Sequence, residues 1–413
     1  MKISYFVTGW LLLMLVAPAR AENSFAGTWE TDYGLLTLTQ DGSTVTGFYL
    51  MEGNQCSVRG TVEKNKLTFR YQEPGVKGFG WFELAADGKS FAGKWGTKEN
   101  ALLGSWSGKR VVAAPVASKE GFHGLWESNF GRIRLVQEDQ RVHGIYAYSR
   151  GSSITGKVEG KKLTFQYKEP SAEGEGWFEL AADGNSFKGQ WKAKGSSGWA
   201  AWNGRRVQPV PSRIWLVVIE ARWENNLQDK EYSFGHMLNA FFARSPNVQV
   251  RHRFFDNEKS MRNWLTELAY LAEPIVVSLS SHGVAEGIPL DGQTIGAKAI
   301  AESLRYVTTL RLFHFSSCCL MSGKVPEEMR TILGPQGLFP ISGYVQAVDW
   351  AASAVLEFSY FDMILARGMA PAAAAEQIAK LLPYSGDKEI AGAIYAPAGF
   401  RILFPEVKVT GKK

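Results

Sequence analysis

Hydrophobic and polar residues alternate in short segments over the first half of the chain, and longer apolar runs replace this pattern in the second half. Residues 36–39 and 67–70 alternate between apolar and polar side chains, and Asp-Gly pairs at 41–42 and 87–88 separate such segments. A period of two indicates strands with one buried face, and Asp-Gly is typical of hairpin turns. The first half is therefore predicted to consist of antiparallel strands joined by hairpins.

The same half contains an internal repeat of about 85 residues. A shift of 96 or 97 positions superposes Trp29 on Trp126, Tyr71 on Tyr167, and residues 81–88 on the identical segment 177–184. Separate open sheets would expose their edges, so closure of each copy into a small up-and-down barrel is predicted. We assign repeat 1 to residues 22–112 and repeat 2 to residues 120–208. Their aromatic residues are predicted to fill the barrel cores, the alternative being a binding face for sugars or peptides.

Three apolar runs in the second half have the form of buried parallel strands, at residues 214–219, 274–279 and 310–315. Segments with helical periodicity lie between them. Strands that alternate with helices predict a mostly parallel sheet that is covered on both faces. The predicted fold class is therefore multidomain, with two tandem all-β, barrel-like repeats followed by an α/β domain at residues 213–413.

The chain has 413 residues, and its beginning has the features of a secretory signal. Lys2 precedes an apolar stretch, and Ala19-Arg20-Ala21 forms a small-x-small cleavage site. Residues 1–21 are therefore predicted to be a signal peptide. No later run reaches the roughly 18 apolar residues that a membrane span requires. A periplasmic or secreted protein without a transmembrane segment after signal removal is expected.

The charge and the cysteine content of the chain restrict the functions and the kinds of site that it can have. The formal net charge of the whole chain is +6, and removing Lys2 and Arg20 leaves 44 basic and 40 acidic side chains. This balance does not predict nucleic-acid binding. His236 and His252 do not have the spacing of metal ligands, so neither a metal nor a cofactor is predicted. The three cysteines, Cys56 and the adjacent pair Cys318 and Cys319, do not form a disulfide framework.

Two of the predicted parallel strands end in residues that carry chemistry. One strand leads into His282 and Gly283, and the other leads into Cys318 and Cys319. In sheets of this kind, ligands bind at the carboxyl ends of the strands. Hydrolysis of a peptide bond needs a nucleophile, a proton donor and hydrogen-bond donors for the oxyanion. If the two strands are neighbours, these residues supply all three.

An apolar strand ending in His-Gly, followed 36 residues later by a strand ending in a small residue and Cys, resembles the caspase-like clan of cysteine peptidases, which includes caspases, legumain, gingipains and CHAT domains. The resemblance covers residues 213–405. It implies that Cys318 is the nucleophile and His282 the catalytic histidine, with the N–H groups of Gly283 and Cys318 as oxyanion donors. Cys319 is the alternative nucleophile. The chain departs from the pattern at Gly323, because clan members have a glycine closer to the nucleophile.

The Gly-x-Trp opening of each repeat resembles lipocalin-type or avidin-type barrels. With the C-terminal resemblance, it implies an exported caspase-like endopeptidase whose β modules bind a protein or peptide substrate, a cell surface or a polysaccharide. Asp349 is predicted either to line a specificity pocket for a basic residue or to cap a helix. The alternatives are a non-catalytic protein that retains the fold and an envelope protein that binds carbohydrate or protein. Oxidation of Cys318 and Cys319 to a vicinal disulfide is a further hypothesis.

Overall fold

The computed structural model describes residues 24–51, 54–73, 75–97, 102–110, 121–224, 226–290 and 292–404. The predicted signal peptide lies outside these residues, as do the residues between the two predicted repeats, 113–119. The chain divides into two compact units. The first contains repeat 1, and the second contains repeat 2 together with the C-terminal domain.

Repeat 1 is a closed barrel in which each strand pairs with its neighbours in the chain and the last strand pairs with the first. All of these pairings are antiparallel, which confirms the predicted β module. Its eight strands are β1 (Gly27–Thr31), β2 (Gly34–Asp41), β3 (Thr44–Met51), β4 (Asn54–Glu63), β5 (Lys66–Glu73), β6 (Val76–Leu84), β7 (Ser90–Gly96) and β8 (Gly104–Arg110).

Aromatic side chains fill the interior of this barrel. Trp29, Phe82 and Trp106 are each at most 2% exposed, and the ring of Phe82 stacks on that of Phe91 with centroids 4.1 Å apart. Cys56 is fully buried in the same core. Alternation along β6 explains this packing, because Phe82 points inward while its neighbour Trp81 is half-buried on the outer side. The prediction that the aromatic residues form the core is confirmed for these inward positions.

Repeat 2 has the same antiparallel arrangement. β14 pairs with both β13 and β15, and β17 pairs with β9, so that the chain of pairings returns to its start. Its strands are β9 (Gly124–Ser128), β10 (Gly131–Glu138), β11 (Arg141–Tyr146), β12 (Ser153–Glu159), β13 (Lys162–Lys168), β14 (Glu173–Leu180), β15 (Ser186–Ala193), β16 (Ala200–Ala201) and β17 (Gly204–Arg206).

The C-terminal domain contains a six-stranded sheet in the order β19-β18-β20-β23-β24-β25. The first five of these strands are parallel, and β25 is antiparallel to β24. A small hairpin, β21 with β22, follows β20. The strands are β18 (Ile214–Ala221), β19 (Val248–Phe255), β20 (Ile275–Ser280), β21 (Ile288–Leu290), β22 (Gln293–Ile295), β23 (Leu310–Ser316), β24 (Ile341–Tyr344) and β25 (Phe400–Leu403).

Helices cover both faces of this sheet because successive strand residues point to opposite sides. Val277 and Phe313 pack in one core with α2, α3 and α4, whereas Val276 and Leu312 pack in another with α1, α5 and α6. Many unrelated families share such an arrangement, so it does not identify one. The helices are α1 (Phe234–Phe241), α2 (Glu258–Glu267), α3 (Ala297–Leu304), α4 (Val325–Leu333), α5 (Trp350–Phe361) and α6 (Pro371–Leu381).

Repeat 2 is attached to the C-terminal domain by two arginines of β10. The buried Arg134 donates hydrogen bonds to the carbonyl oxygens of Ala269, at 2.7 Å, and Leu271, at 2.9 Å. Arg132 donates to the carbonyl of Tyr270 at 2.7 Å. These carbonyls belong to the 3-10 turn that ends α2 and the residue after it, where helical carbonyls lack partners within the helix. The two arginines therefore supply hydrogen-bond donors to carbonyls that lack partners within the helix, and Arg134 does so in a buried position.

Candidate functional site at the carboxyl edge of the parallel sheet

The sheet brings the ends of β20 and β23 together, because these two strands are direct neighbours. The Ser281 N–H donates to the Ser316 carbonyl at 3.2 Å, and the hydroxyls of Ser281 and Ser317 lie 3.0 Å apart. His282 lies just after the end of β20 and is exposed, whereas Cys318 lies just after the end of β23 and is half-buried. Two of the residues that the sequence predicted for the site are therefore on adjacent loops.

Glycines allow these loops to approach one another closely. A Cβ atom at Gly283 would lie 2.3 Å from the Cys318 carbonyl oxygen, so no larger residue fits there. A Cβ atom at Gly323 would lie only 1.7 Å from the Ala285 carbonyl oxygen. Gly323, which departs from the expected spacing, thus has a packing role against the loop that carries His282.

The Cys318 sulfur makes its polar contacts with the backbone of Val348. The Val348 N–H points at the sulfur at 3.4 Å, and the thiol faces the Val348 carbonyl at 4.0 Å. Among the described residues, no hydrogen bond joins this sulfur to the His282 imidazole. Nor do the N–H groups of Gly283 and Cys318 donate hydrogen bonds within the described part of the chain, and their role as oxyanion donors stays a prediction. The assignment of His282 and Cys318 as a catalytic pair stays a prediction.

Cys319 has a different environment from its neighbour. Its backbone is left-handed, with φ at 61°, and its N–H donates to the Gln346 carbonyl at 3.2 Å. Burial and the adjacent Cys318 raise the pKa of the Cys319 thiol. A raised pKa reduces the fraction of thiolate, which is the nucleophilic form. Both cysteines are free thiols in the structure, so the vicinal disulfide also stays a prediction.

Asp349 acts as the N-cap of α5. Its carboxylate accepts hydrogen bonds from the N–H groups of Ala351, at 2.9 Å, and Ala352, at 3.0 Å. This is the second of the two roles that the sequence suggested. The cap occupies one carboxylate oxygen, Oδ1, and a role in a specificity pocket stays a prediction.

A buried polar network behind β23 fixes the strand that leads to Cys318. Glu357 of α5 is fully buried and accepts hydrogen bonds from Ser316, at 2.8 Å, and from the Tyr344 hydroxyl, at 2.9 Å. His314 lies in the same network, with its Nδ1 2.9 Å from the Ser342 hydroxyl. Burial, followed by the charge of Glu357, raises the pKa of Tyr344. His314 is thus a core residue with a hydrogen-bond partner.

Glu220 and Trp223 form a part of the site that sequence reasoning missed. Glu220, in β18, is fully buried and accepts a hydrogen bond from the Trp223 indole N–H at 2.8 Å. The Trp223 ring meets the edge of the His282 ring, with centroids 5.0 Å apart. Only the acidic residue at the end of an otherwise apolar strand signalled this arrangement in the sequence.

Within the described residues, no group of three or more His, Cys, Asp or Glu side chains has an arrangement that could hold a metal ion. Among the helices in those residues, none is both long enough and apolar enough to cross a membrane. His236 and His252, which the sequence did not favour as metal ligands, lie with their ring centroids 4.9 Å apart, and His252 pairs with Glu220 at 2.9 Å.

Neither a known protein family nor a curated protein matches the chain. Among solved structures, the chain is similar to a double mutant of the vaccine antigen transferrin-binding protein B from Haemophilus parasuis Hp5, at 13% identity. The match covers 43% of this chain and 44% of the other, with a TM-score of 0.15. The chain thus spans less than half the length of that protein.

These comparisons correct the family assignments made from the sequence. The caspase-like assignment of residues 213–405 is wrong: no known protein family matches the chain, and a solved structure to which it is similar is that of a transferrin-binding protein. The resemblance of the repeats to lipocalin-type or avidin-type barrels likewise has no support from a known family, although repeat 1 is a closed barrel. The physical reason is that both rested on short patterns. A strand ending in His-Gly or in small residues and Cys can arise in any buried parallel sheet.

Proposed function

We propose that this chain is an exported envelope protein that binds a protein ligand through its two β modules. The observation that supports this proposal is an outward-facing pair of lysine and tryptophan that occurs in both repeats. The Lys66 ammonium lies 4.6 Å from the centre of the Trp81 ring, and Lys162 lies 4.9 Å from the centre of the Trp177 ring. Core packing accounts for identical inward residues, but it does not require identical residues on the outside of a barrel.

The chemistry of this pair favours a protein with acidic groups as the ligand. Tryptophan supplies a large apolar contact area and is enriched among the residues that dominate binding energy. The lysine above each ring leaves an ammonium available for a carboxylate, while it covers the ring face on which a sugar would stack. Two copies of one binding face strengthen attachment to a ligand that presents two sites.

Binding of the labelled mature protein to intact bacterial cells tests this proposal. Trp81→Ala and Trp177→Ala are each expected to weaken binding by about tenfold, because each removes a central aromatic contact. The double variant should bind more weakly than either single variant. Trp199→Ala is the matched control, since Trp199 is 44% exposed on repeat 2 and has no tryptophan counterpart in repeat 1.

Protease treatment of the cells distinguishes the classes of ligand. Loss of binding after treatment supports a protein ligand, whereas unchanged binding would identify a polysaccharide and contradict the proposal. Equal binding by the double variant and the wild type would also contradict it, provided that circular dichroism shows both to be folded.

Hydrolysis of peptide bonds by the Cys318 thiol is a second candidate function. The specific observation in its favour is the backbone contact between the loop of His282 and Gly283 and the loop of Cys318, together with two N–H groups that are free to bind an oxyanion. A histidine near a thiol favours the thiolate and supplies a proton to the leaving group.

Alkylation by iodoacetamide, read by mass spectrometry at each cysteine, tests this second candidate alongside cleavage of a peptide library. Cys318 is expected to be alkylated in the folded protein, and His282→Ala is expected to lose cleavage, because the imidazole supplies the proton to the leaving group. Cys56 serves as an internal control for alkylation, since it is fully buried and should not react in the folded protein. Absence of cleavage from both the wild type and His282→Ala would reject this candidate.

A further inference from the structure

Three aromatic side chains form a continuous surface beside the His282 and Cys318 loops. The Trp223 ring, which touches His282, lies nearly parallel to the Tyr232 ring, at 17° and with centroids 6.0 Å apart. Tyr232 in turn meets Trp350 edge to face at 5.6 Å. Tyr232 is 42% exposed and Trp350 is 41% exposed, so this aromatic cleft is open to solvent.

Buried contacts fix the positions of Trp223 and Trp350 in this cleft. Glu220 accepts the hydrogen bond that orients the Trp223 indole, and it also accepts hydrogen bonds from the N–H groups of Phe234, at 2.9 Å, and Gly235, at 3.2 Å. The buried Phe234 ring packs against Trp350 at 5.4 Å. One carboxylate thus fixes both the indole of Trp223 and the first turn of the helix that supports Trp350, which makes the cleft preorganised.

Glu224, which directly follows Trp223 in the chain, has an unpaired oxygen. Its Oε1 atom is buried and has no hydrogen-bond partner within the described part of the chain. Burial and then the charge of Glu224 raise the pKa of Tyr232. The nearest arginine in sequence, Arg222, is engaged elsewhere, since it lies 3.9 Å above the Phe254 ring and 4.0 Å from Asp256.

From this arrangement we infer that the aromatic cleft of Trp223, Tyr232 and Trp350 binds the side chain of an arginine residue in a polypeptide ligand. A guanidinium is planar and stacks on aromatic rings, and its N–H groups donate to carboxylates. The half-buried Glu224 supplies the carboxylate. The inference concerns a different surface from the outward face of the β modules. It does not depend on turnover by Cys318.

Fluorescence anisotropy with a fluorescein-labelled peptide, Gly-Ala-Gly-Arg-Ala-Gly, tests the inference. The Cys318→Ala protein is used so that cleavage cannot alter the signal. Replacing the arginine of the peptide with citrulline, which has the same shape but no charge, is expected to weaken binding by about tenfold. Glu224→Gln should remove most of this difference, and Trp350→Ala should weaken binding of the arginine peptide by a similar factor.

Two controls separate this site from the rest of the protein. Trp199→Ala, which removes an equally exposed tryptophan of repeat 2, should leave peptide binding unchanged. The Trp81→Ala, Trp177→Ala double variant should also bind the peptide normally, even if it no longer binds cells. Tyr232→Ala, which removes another ring of the cleft, is expected to weaken binding of the arginine peptide by a similar factor and serves as a second variant should Trp350→Ala fail to fold. Equal affinity for the arginine and citrulline peptides, or no binding of either at millimolar concentration, would overturn the inference.

Discussion

Replacing Glu220 with alanine is expected to lower the free energy of unfolding by about 4 kcal/mol. The carboxylate is fully buried and accepts hydrogen bonds from side chains and from the first turn of α1. Removing it leaves these donors without partners inside the protein, and each costs free energy comparable to a lost hydrogen bond. Its donors are Trp223, Ser233, Phe234, Gly235 and His252.

Urea denaturation followed by circular dichroism measures this change. Glu302→Ala is the matched control, because Glu302 forms an exposed ion pair with Arg262 at 3.0 Å and its loss should cost no more than about 1 kcal/mol. Glu220→Gln keeps the shape and one acceptor oxygen, so its effect should lie between the two. A change below about 1 kcal/mol in Glu220→Ala would show that the buried carboxylate is not needed for stability.

Glu220 is also expected to make the free energy of unfolding depend on pH. Burial alone would raise the pKa of Glu220, but hydrogen bonds from His252, Ser233, Trp223 and the Phe234 N–H outweigh it and lower the pKa below 4.5. A carboxyl whose pKa is lower in the folded chain stabilises the fold fully above its unfolded pKa. The stabilisation is lost as the pH falls through the folded value. Glu220→Gln should therefore reduce the loss of stability below pH 4.5.

Replacing Arg134 with methionine is expected to lower the free energy of unfolding of the second unit by about 3 kcal/mol. Its guanidinium is buried between repeat 2 and the C-terminal domain, and burial followed by the charge of Arg132 lowers its pKa to about 10. Methionine fills much of the same volume but donates no hydrogen bonds. The carbonyls of Ala269 and Leu271 would then remain buried without their donor.

Arg132→Met is the matched control for this interface. Arg132 lies two residues away on the same strand and also donates to the turn after α2, but its side chain is 42% exposed and water can replace its contacts. We expect it to cost less than about 1 kcal/mol. Differential scanning calorimetry measures both variants. Equal melting temperatures for Arg134→Met and Arg132→Met would contradict the claim that burial makes Arg134 the dominant contact.

The divergence of the two repeats indicates a division of roles between them. Leu35 and Thr37 occupy the positions in repeat 1 that Arg132 and Arg134 occupy in repeat 2. Repeat 1 therefore lacks the donors that attach repeat 2 to the C-terminal domain. The outward pair of lysine and tryptophan is common to both repeats, so the residues that attach repeat 2 differ from those of the proposed binding face.

The family assignment from the sequence was wrong because it rested on two short patterns at the ends of strands. The His-Gly and Ser-Cys segments do lie on adjacent loops, as neighbouring strands require. Their closeness follows from any parallel sheet in which β20 and β23 are paired, and it does not identify an evolutionary relationship. The two local patterns could predict that His282 and Cys318 lie at the same edge of the sheet. They could not predict the contact between Cys318 and the backbone of Val348.

The sequence by itself determined the tandem β modules, the inward position of their aromatic residues, and the two strand ends that carry His282 and Cys318. These features follow from local periodicity and from the repeat, which require no knowledge of distant contacts. The sequence did not reveal α4, because its nine residues lie between glycines and give only a short periodic signal.

Only the tertiary structure decided which polar side chains are buried and what they contact. Glu220 meets its donors from α1 and β19, Arg134 meets carbonyls more than 130 residues away, and Asp349 caps α5. The aromatic cleft likewise joins Trp223 to Trp350 through Tyr232. The physical reason is that a buried charge is stable only when the fold supplies its partners, and the partners lie far from it in the chain.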